Sequence, residues 1–205
     1  MNYAEAMQKG QLLSSDPFVC VFDDYISALE IEHILAAGDK LLAPALVTGP
    51  NEGVISPTRT NRNCWIAHRH DEVIEGVCQR ISKLAGLPLE NAESLQLIHY
   101  DHRQEYAAHF DGWDAESEDG KRCMLRGGQR LVTGLLYLND VPAGGATSFP
   151  KLQLEVQARK GRLLLFHNCM LGGTIRHPNS LHGGMPVLEG EKWACNLWFR
   201  ERVFR

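Results

Sequence analysis

Residues 95–111 read LQLIHYDHRQEYAAHFD. The stretch predicts a strand over Leu95–Tyr100 leading into a second over Tyr106–Asp111, and it closes on His109-Phe110-Asp111. In extended backbone, residues i and i+2 point to the same face. The His109 imidazole and the Asp111 carboxylate therefore aim at one point.

Two imidazoles and one carboxylate, with coordination positions left open, are the facial ligand set of non-haem Fe(II) oxygenases. The triplet alone does not separate such a site from a surface His beside an acid. The chain has nine His, and the spacing recurs as His99-Tyr100-Asp101 and, with a Glu, as His70-Asp71-Glu72. The choice among them has to come from the surrounding chain.

The 205 residues predict one domain. Its expected parts are an extension over 1–16, helical support and a substrate loop over 17–94, and the main core over 95–200. An apolar fraction of 44%, a charged fraction of 22% and a net charge of −4 are ordinary for a soluble protein. No basic run points to a nucleic acid, and no apolar run reaches the length of a membrane span. The opening MNYAEAMQKGQLLSSDP lacks the pattern of a signal peptide. Six Cys include no C-x-x-C pair, which argues against a zinc ribbon and for buried free thiols in a reducing cytoplasm.

Phe18–Phe22 predicts a strand. Ser27 and Glu30 form a capping box that opens a helix to about Leu42, with Leu29, Ile31, Ile34, Leu35 and Leu41 as core candidates. Residues 48–63, rich in Gly, Pro, Asn and Thr, read either as a connector or as a mobile lid. Asp71 caps a second helix to Ala85, with Val73, Ile74, Val77, Cys78, Ile81 and Leu84 on its apolar stripe and Gly86 past its end. From Leu95 the pattern turns to strands: after the opening pair, 131–138, 153–157, 162–167, 184–188 and 193–200. Helices followed by a run of short strands predict an α+β chain with a double-sheet jelly-roll core.

Within 131–138, Leu131, Thr133, Leu135 and Tyr137 share one face, and Val132, Gly134, Leu136 and Leu138 the other. Thr133 and Tyr137 could line a polar pocket or be satisfied core residues. In the last strand Lys192, Ala194, Asn196 and Trp198 share a face. A Lys facing inward implies an anionic ligand, because Lys is rarely buried unpaired; just past a turn, it could equally point at water. His167, His177 and His182 are each able to complete a metal site. His182 is expected on the strand that hairpins into the Lys192 strand.

From about Pro17 to Arg200 the chain resembles the prolyl 4-hydroxylase family of 2-oxoglutarate/Fe(II)-dependent dioxygenases, its compact bacterial-type members in particular. The matching blocks are Leu95-Gln96-Leu97 before Tyr100, Tyr106-x-x-His109-x-Asp111, Gly127-Gly128-Gln129-Arg130 and Tyr137-Leu138-Asn139-Asp140-Val141. They continue through Gly144-Gly145-Ala146-Thr147-Ser148-Phe149-Pro150, Lys160-Gly161, Leu181-His182-Gly183-Gly184, Pro186-Val187, Gly190-Glu191-Lys192-Trp193 and Trp198.

The resemblance implies a double-stranded β-helix (jelly-roll, cupin-like) core. It implies His109, Asp111 and His182 as iron ligands, and Lys192 as partner of the distal carboxylate of 2-oxoglutarate. Tyr100 and Tyr137 would be neighbours of the cosubstrate, with Thr133 on the same polar face. Tyr106, Arg130 and Trp198 would line a peptide groove. Fe(II), 2-oxoglutarate and O2 follow as cofactors, with ascorbate as an optional reductant, and a proline-containing peptide or protein follows as substrate. His99 and Asp101 are then not ligands. The chain departs from the family pattern at Arg103, where Gly is usual, at His167, where Trp is frequent, and in the acidic start of 112–126. Rival readings are the same chemistry on a free amino acid or another non-prolyl substrate, a cupin-like metal enzyme, and a binding module that has lost catalysis.

Overall fold

The structure, a computed structural model, describes residues 8–48 and 53–205. Its frame is an eight-stranded sheet in the order β1–β2–β11–β7–β14–β5–β4–β3. These are β1 Gln11–Ser15, β2 Phe18–Phe22, β3 Ala43–Pro44, β4 Arg62–Ile66, β5 Leu95–Tyr100, β7 Arg130–Tyr137, β11 Leu163–His167 and β14 Lys192–Arg200. A four-stranded sheet lies in the order β10–β9–β12–β6, with β6 Tyr106–His109, β9 Thr147–Phe149, β10 Leu154–Val156 and β12 His182–Gly184. A ribbon pairs β8 (Ala143–Gly144) with β13 (Val187–Glu189). Pairing is antiparallel along β7, β11 and β14 and between β6 and β12. This is the expected double-stranded β-helix.

The period-two alternation of β7 and β14 sorts side chains into two cores on opposite faces of the large sheet. Val132, Leu136, Cys195, Leu197 and Phe199 pack under the helices. Leu135, Tyr137 and Ala194 face inward with Val19, Val21, Phe149 and Phe166. Strands covered on both faces are apolar throughout, which is why Phe18–Phe22 reads as a continuous run and is buried at every position.

Helix α1 (Ala28–Gly38) starts at the Ser27/Glu30 capping box, and α2 (Glu72–Ala85) starts where Asp71 accepts from the Val73 and Ile74 amides. Gly86 ends α2 at φ 64°, a conformation without Cβ penalty in glycine. Ile74, Val77 and Ile81 of α2 are fully buried, each contributing roughly 1.5–3 kcal/mol. Gly134 lets that helix approach β7: a Cβ there would come within 2.8 Å of Ile81.

Several expectations are corrected. Leu29 and Leu41 are 77% and 63% exposed. The buried stripe of α1 is Ile31, Ile34 and Gly38, and Leu29, two residues before Ile31, lies about 200° round the helix from it. Leu41 follows in a 3-10 turn over Asp39–Leu41. Val73, beside the stripe of α2, is half-exposed. The strand expected over 184–188 is two strands in different sheets, broken at Pro186, which has no N–H to give a ladder. His182 therefore does not lie beside the Lys192 strand; it pairs directly across from His109.

Gln11–Ser15, expected in an extension, is the edge strand of the large sheet, and residues 1–7 lie outside the described residues. In 112–126, a short helix α3 (Glu118–Met124) is capped by Ser117. Of the expected lid over 48–63, residues 49–52 lie outside the described residues; the flanks pair at Val47 and Val54.

Candidate active site

β6 ends at His109, short of the strand expected to run to Asp111; Asp111 sits two residues on in a bend, which still brings its carboxylate to the same point as the His109 ring. β12 brings His182 alongside in register with His109. His109 Nε2 is 3.6 Å from Asp111 Oδ1, and His182 Nε2 is 3.4 Å from Oδ2. One ligand atom from each of the three lies within 4.8 Å of the others.

The backbone sets the tautomers. His109 Nδ1 is 2.8 Å from the Ala107 carbonyl, and His182 Nδ1 is 2.9 Å from the Ser180 carbonyl. A carbonyl only accepts, so each Nδ1 carries a proton and Nε2 is the atom each ring can offer to a metal. Tyr106 stacks on the His109 ring at 3.6 Å and 15°. Phe149 and Phe166 pack against His182.

Burial works against the charge of Asp111, but His182 and His109 overcome it and hold the carboxyl well below its usual range. Burial likewise opposes protonation of His182, and Asp111 outweighs it and raises its pKa. Burial lowers that of His109. The three side chains are thus an anionic carboxylate facing two imidazoles, a donor set that fits a divalent cation.

Behind this trio a small cavity is lined by Tyr100, Thr147, His109, His182, Lys192 and Asn196 among others. Lys192 is 2% exposed. Its Nζ faces the rings of Tyr100 and Tyr137 at 5.2 and 5.4 Å. No ion pair joins it to a carboxylate among the described residues. Burial pushes its pKa down to about 7. Tyr137 donates to Thr147 Oγ1 at 2.7 Å. Burial raises the Tyr100 phenol to about 12, so it stays a donor.

Thr133 is corrected. Its hydroxyl does not line this cavity but donates to Asp111 Oδ2 at 2.7 Å. Thr147 was missed by sequence reading, although it stands inside the Gly144–Pro150 block.

In front of the trio an open groove of roughly 770 Å³ holds Tyr106, Arg130 and Trp198, together with Arg59, Trp65, Gln96 and Trp113. Arg130 lies 3.9 Å over Trp198 and 4.7 Å over Trp113. It donates through Nε and Nη2 to the two oxygens of Glu93 at 2.6 and 2.8 Å. Only its remaining N–H groups are free for a ligand. Arg200 Nε is 2.7 Å from Glu93 Oε1, an ion pair without a well-aimed hydrogen bond. Arg59 sits 4.5 Å over Tyr106 and donates to Gln96. Arg59 and Glu93 carried no signal in the sequence, since both sit outside the quoted blocks and far along the chain from their partners.

The rival HxD is elsewhere. His99, on the opposite face of β5 from Tyr100, pairs with Glu191 at 2.7 Å and approaches Asp101 at 4.0 Å. Asp71 of the HxE is a helix cap. Buried His177 bonds Asp16, and His167 packs against Phe18.

The sequence profile described as the 2OG-Fe(II) oxygenase superfamily matches residues 95–200. The chain is 35% identical to prolyl 4-hydroxylase 2 of Arabidopsis thaliana, over 96% of its own length and 71% of that protein's. It is 34% identical to a putative prolyl 4-hydroxylase of Acanthamoeba polyphaga mimivirus, over 92% and 75% of the two chains. Its fold superposes on the viral collagen prolyl hydroxylase of Paramecium Bursaria Chlorella virus-1 with a TM-score of 0.71 at 25% identity, covering 89% of this chain and 95% of that one.

Proposed function

The chain belongs to the 2OG-Fe(II) oxygenase superfamily, and we propose that His109, Asp111 and His182 hold its iron while Lys192 holds the distal carboxylate of 2-oxoglutarate. It is a 2-oxoglutarate-dependent dioxygenase that hydroxylates prolyl residues. The observation that carries the residue assignment is the buried Lys192, without an ion pair among the described residues, lining the same cavity as His109 and His182 of the His–Asp–His trio.

When bound, iron and 2-oxoglutarate activate O2, converting the keto acid to succinate and CO2 and a prolyl C–H to C–OH. The protein's part is positioning and exclusion of water. His109 Nε2, His182 Nε2 and the Asp111 carboxylate would hold the metal. An arriving carboxylate would favour the charged form of Lys192, and the protonated Tyr100 and the Thr147 hydroxyl line the same cavity as hydrogen-bonding groups. Phe149 and Phe166 shield the side of His182 away from the groove.

The groove favours a peptide over a free amino acid. A free ammonium needs an acid, and Asp111 is the only carboxylate among the described residues lining the groove. Asp114, on the adjacent loop, faces Arg176 at 3.7 Å instead. The aromatic faces of Tyr106, Trp65, Trp113 and Trp198 suit a pyrrolidine ring and an extended backbone. Ascorbate as a reductant and a cytoplasmic location belong to the same proposal. The location rests on six free thiols, of which all but Cys123 are buried.

The test is CO2 release from 2-oxoglutarate with Fe(II), using proline peptides blocked at both ends and free L-proline. We expect release coupled to gain of one oxygen atom on the peptide proline. Turnover of the free amino acid with none of the peptides would reject the peptide reading. No release with any substrate would reject the site assignment.

A further inference from the structure

Asp111 has a hydrogen-bonding partner that the ligand set does not include. Thr133 on β7 donates to its Oδ2 at 2.7 Å, and Asn168, just past β11, donates through Nδ2 to Thr133 Oγ1 at 2.9 Å. Thr133 and Asn168 are fully buried. The direction of this chain is set by its ends: a carboxylate can only accept and an amide NH2 can only donate, so the Thr133 proton must point at Asp111. The backbone of Asn168 reaches the second buried ligand. Its carbonyl accepts from the His177 N–H at 2.9 Å and lies 3.2 Å from the Ser180 hydroxyl, whose shorter acceptor is the His177 carbonyl at 2.8 Å; the Ser180 carbonyl holds His182 Nδ1.

We propose that Thr133 and Asn168 form a positioning relay that sets the Asp111 carboxylate, and through it the affinity of the site for its metal. This rests on the metal reading above. Once both Nε2 atoms turn lone pairs to a cation, neither His can donate to the carboxylate. Thr133 is then the one side-chain hydroxyl or amide among the described residues that reaches it.

The cost of the arrangement supports a functional role. Asn168 Oδ1 is buried with no hydrogen-bond partner among the described residues. An orphaned acceptor disfavours folding, and an apolar side chain of similar size would remove it. At position 133, Val matches Thr in shape and suits a strand. Stability alone would therefore prefer an apolar residue at 168, and at 133 it asks for the hydroxyl only as the acceptor of the Asn168 amide. Orientation of a metal carboxylate requires the polar residue at both.

The test is Co(II) titration of metal-free protein, followed by visible absorption, beside thermal melts without metal. Thr133→Val should weaken Co(II) binding by about 10–100-fold, the usual size of such outer-sphere losses, while Thr133→Ser stays near wild type. Asn168→Leu should also weaken binding while the metal-free protein melts at the same temperature or higher. Wild-type affinity in folded Thr133→Val and Asn168→Leu would overturn the relay. If Thr133→Val fails to fold, Asn168→Leu decides alone. Should wild type and His109→Ala bind Co(II) equally, the metal reading falls and takes the relay with it.

Discussion

Two buried charged regions flank the trio, and they are built in opposite ways. At the back, Lys192 is buried against aromatic rings with no counter-charge among the described residues. At the front, Glu93 is shared by Arg130 and Arg200 under Trp113 and Trp198. The front block balances its charge within the protein: Glu93 outweighs burial at Arg130 and raises its pKa, while burial prevails at Arg200 and lowers its to about 10. The back region leaves its charge for something that arrives. A paired buried charge marks a wall, and an unpaired one marks a binding site.

Removing the unpaired charge should have the largest effect, and on ligand rather than fold. In Lys192→Ala a bound 2-oxoglutarate would bury its distal carboxylate unpaired, at about 3–5 kcal/mol. The KM for 2-oxoglutarate should rise by roughly two to three and a half orders of magnitude. An unchanged KM breaks the comparison. Glu93→Gln should do the reverse, leaving two guanidiniums uncompensated and costing about 3 kcal/mol of stability by denaturant titration, with the 2-oxoglutarate KM nearly unmoved. Equal loss of stability in both variants would mean that the two regions do not differ in kind.

A pH series sharpens the contrast. The Lys192 pKa is about 7 in the folded protein, below its unfolded value. The unfolded chain then binds more protons above pH 7, so the burial cost is fully present below that pH and is relieved as pH rises toward about 10.4. Relative to Lys192→Met, the ligand-free protein should gain stability over that window, with a slope of up to about 1.4 kcal/mol per pH unit. A flat difference would place a counter-charge at Lys192. The smallest effect is expected at a paired but open charge: Asp23 receives bonds from Arg162 at 2.6 and 3.1 Å while its side chain is 54% exposed. Arg162 lowers its pKa. Solvent screening should hold the cost of Asp23→Asn below about 1 kcal/mol in thermal or denaturant unfolding. A larger loss would show that pairing, rather than burial, sets these energies.

Arg103 shows how a departure in sequence acquires a physical meaning. The family pattern has Gly there, and in this chain Arg103 sits at φ 63° with its N–H on the Val187 carbonyl. In that left-handed conformation a residue with a side chain carries a strain of about 1–2 kcal/mol that glycine does not.

The sequence by itself determined what period and local chemistry can determine. Alternation along β7 and β14 told which side chains share a face, because successive side chains in any strand point to opposite sides. The i, i+2 spacing joined His109 to Asp111, and the Ser27, Asp71 and Gly86 signals placed helix ends. Only the tertiary structure decided which faces meet. His182 stands opposite His109 because β12 joins the smaller sheet, an outcome of pairing between segments more than 70 residues apart in sequence. Thr133 turns to Asp111 rather than to the Lys192 cavity because Asn168, 35 residues on, holds its hydroxyl from behind. Glu93 meets Arg130 and Arg200 for the same reason. A side chain's face is a property of its own strand, whereas its partner is a property of strand order, and strand order is chosen by long-range packing that no local pattern carries.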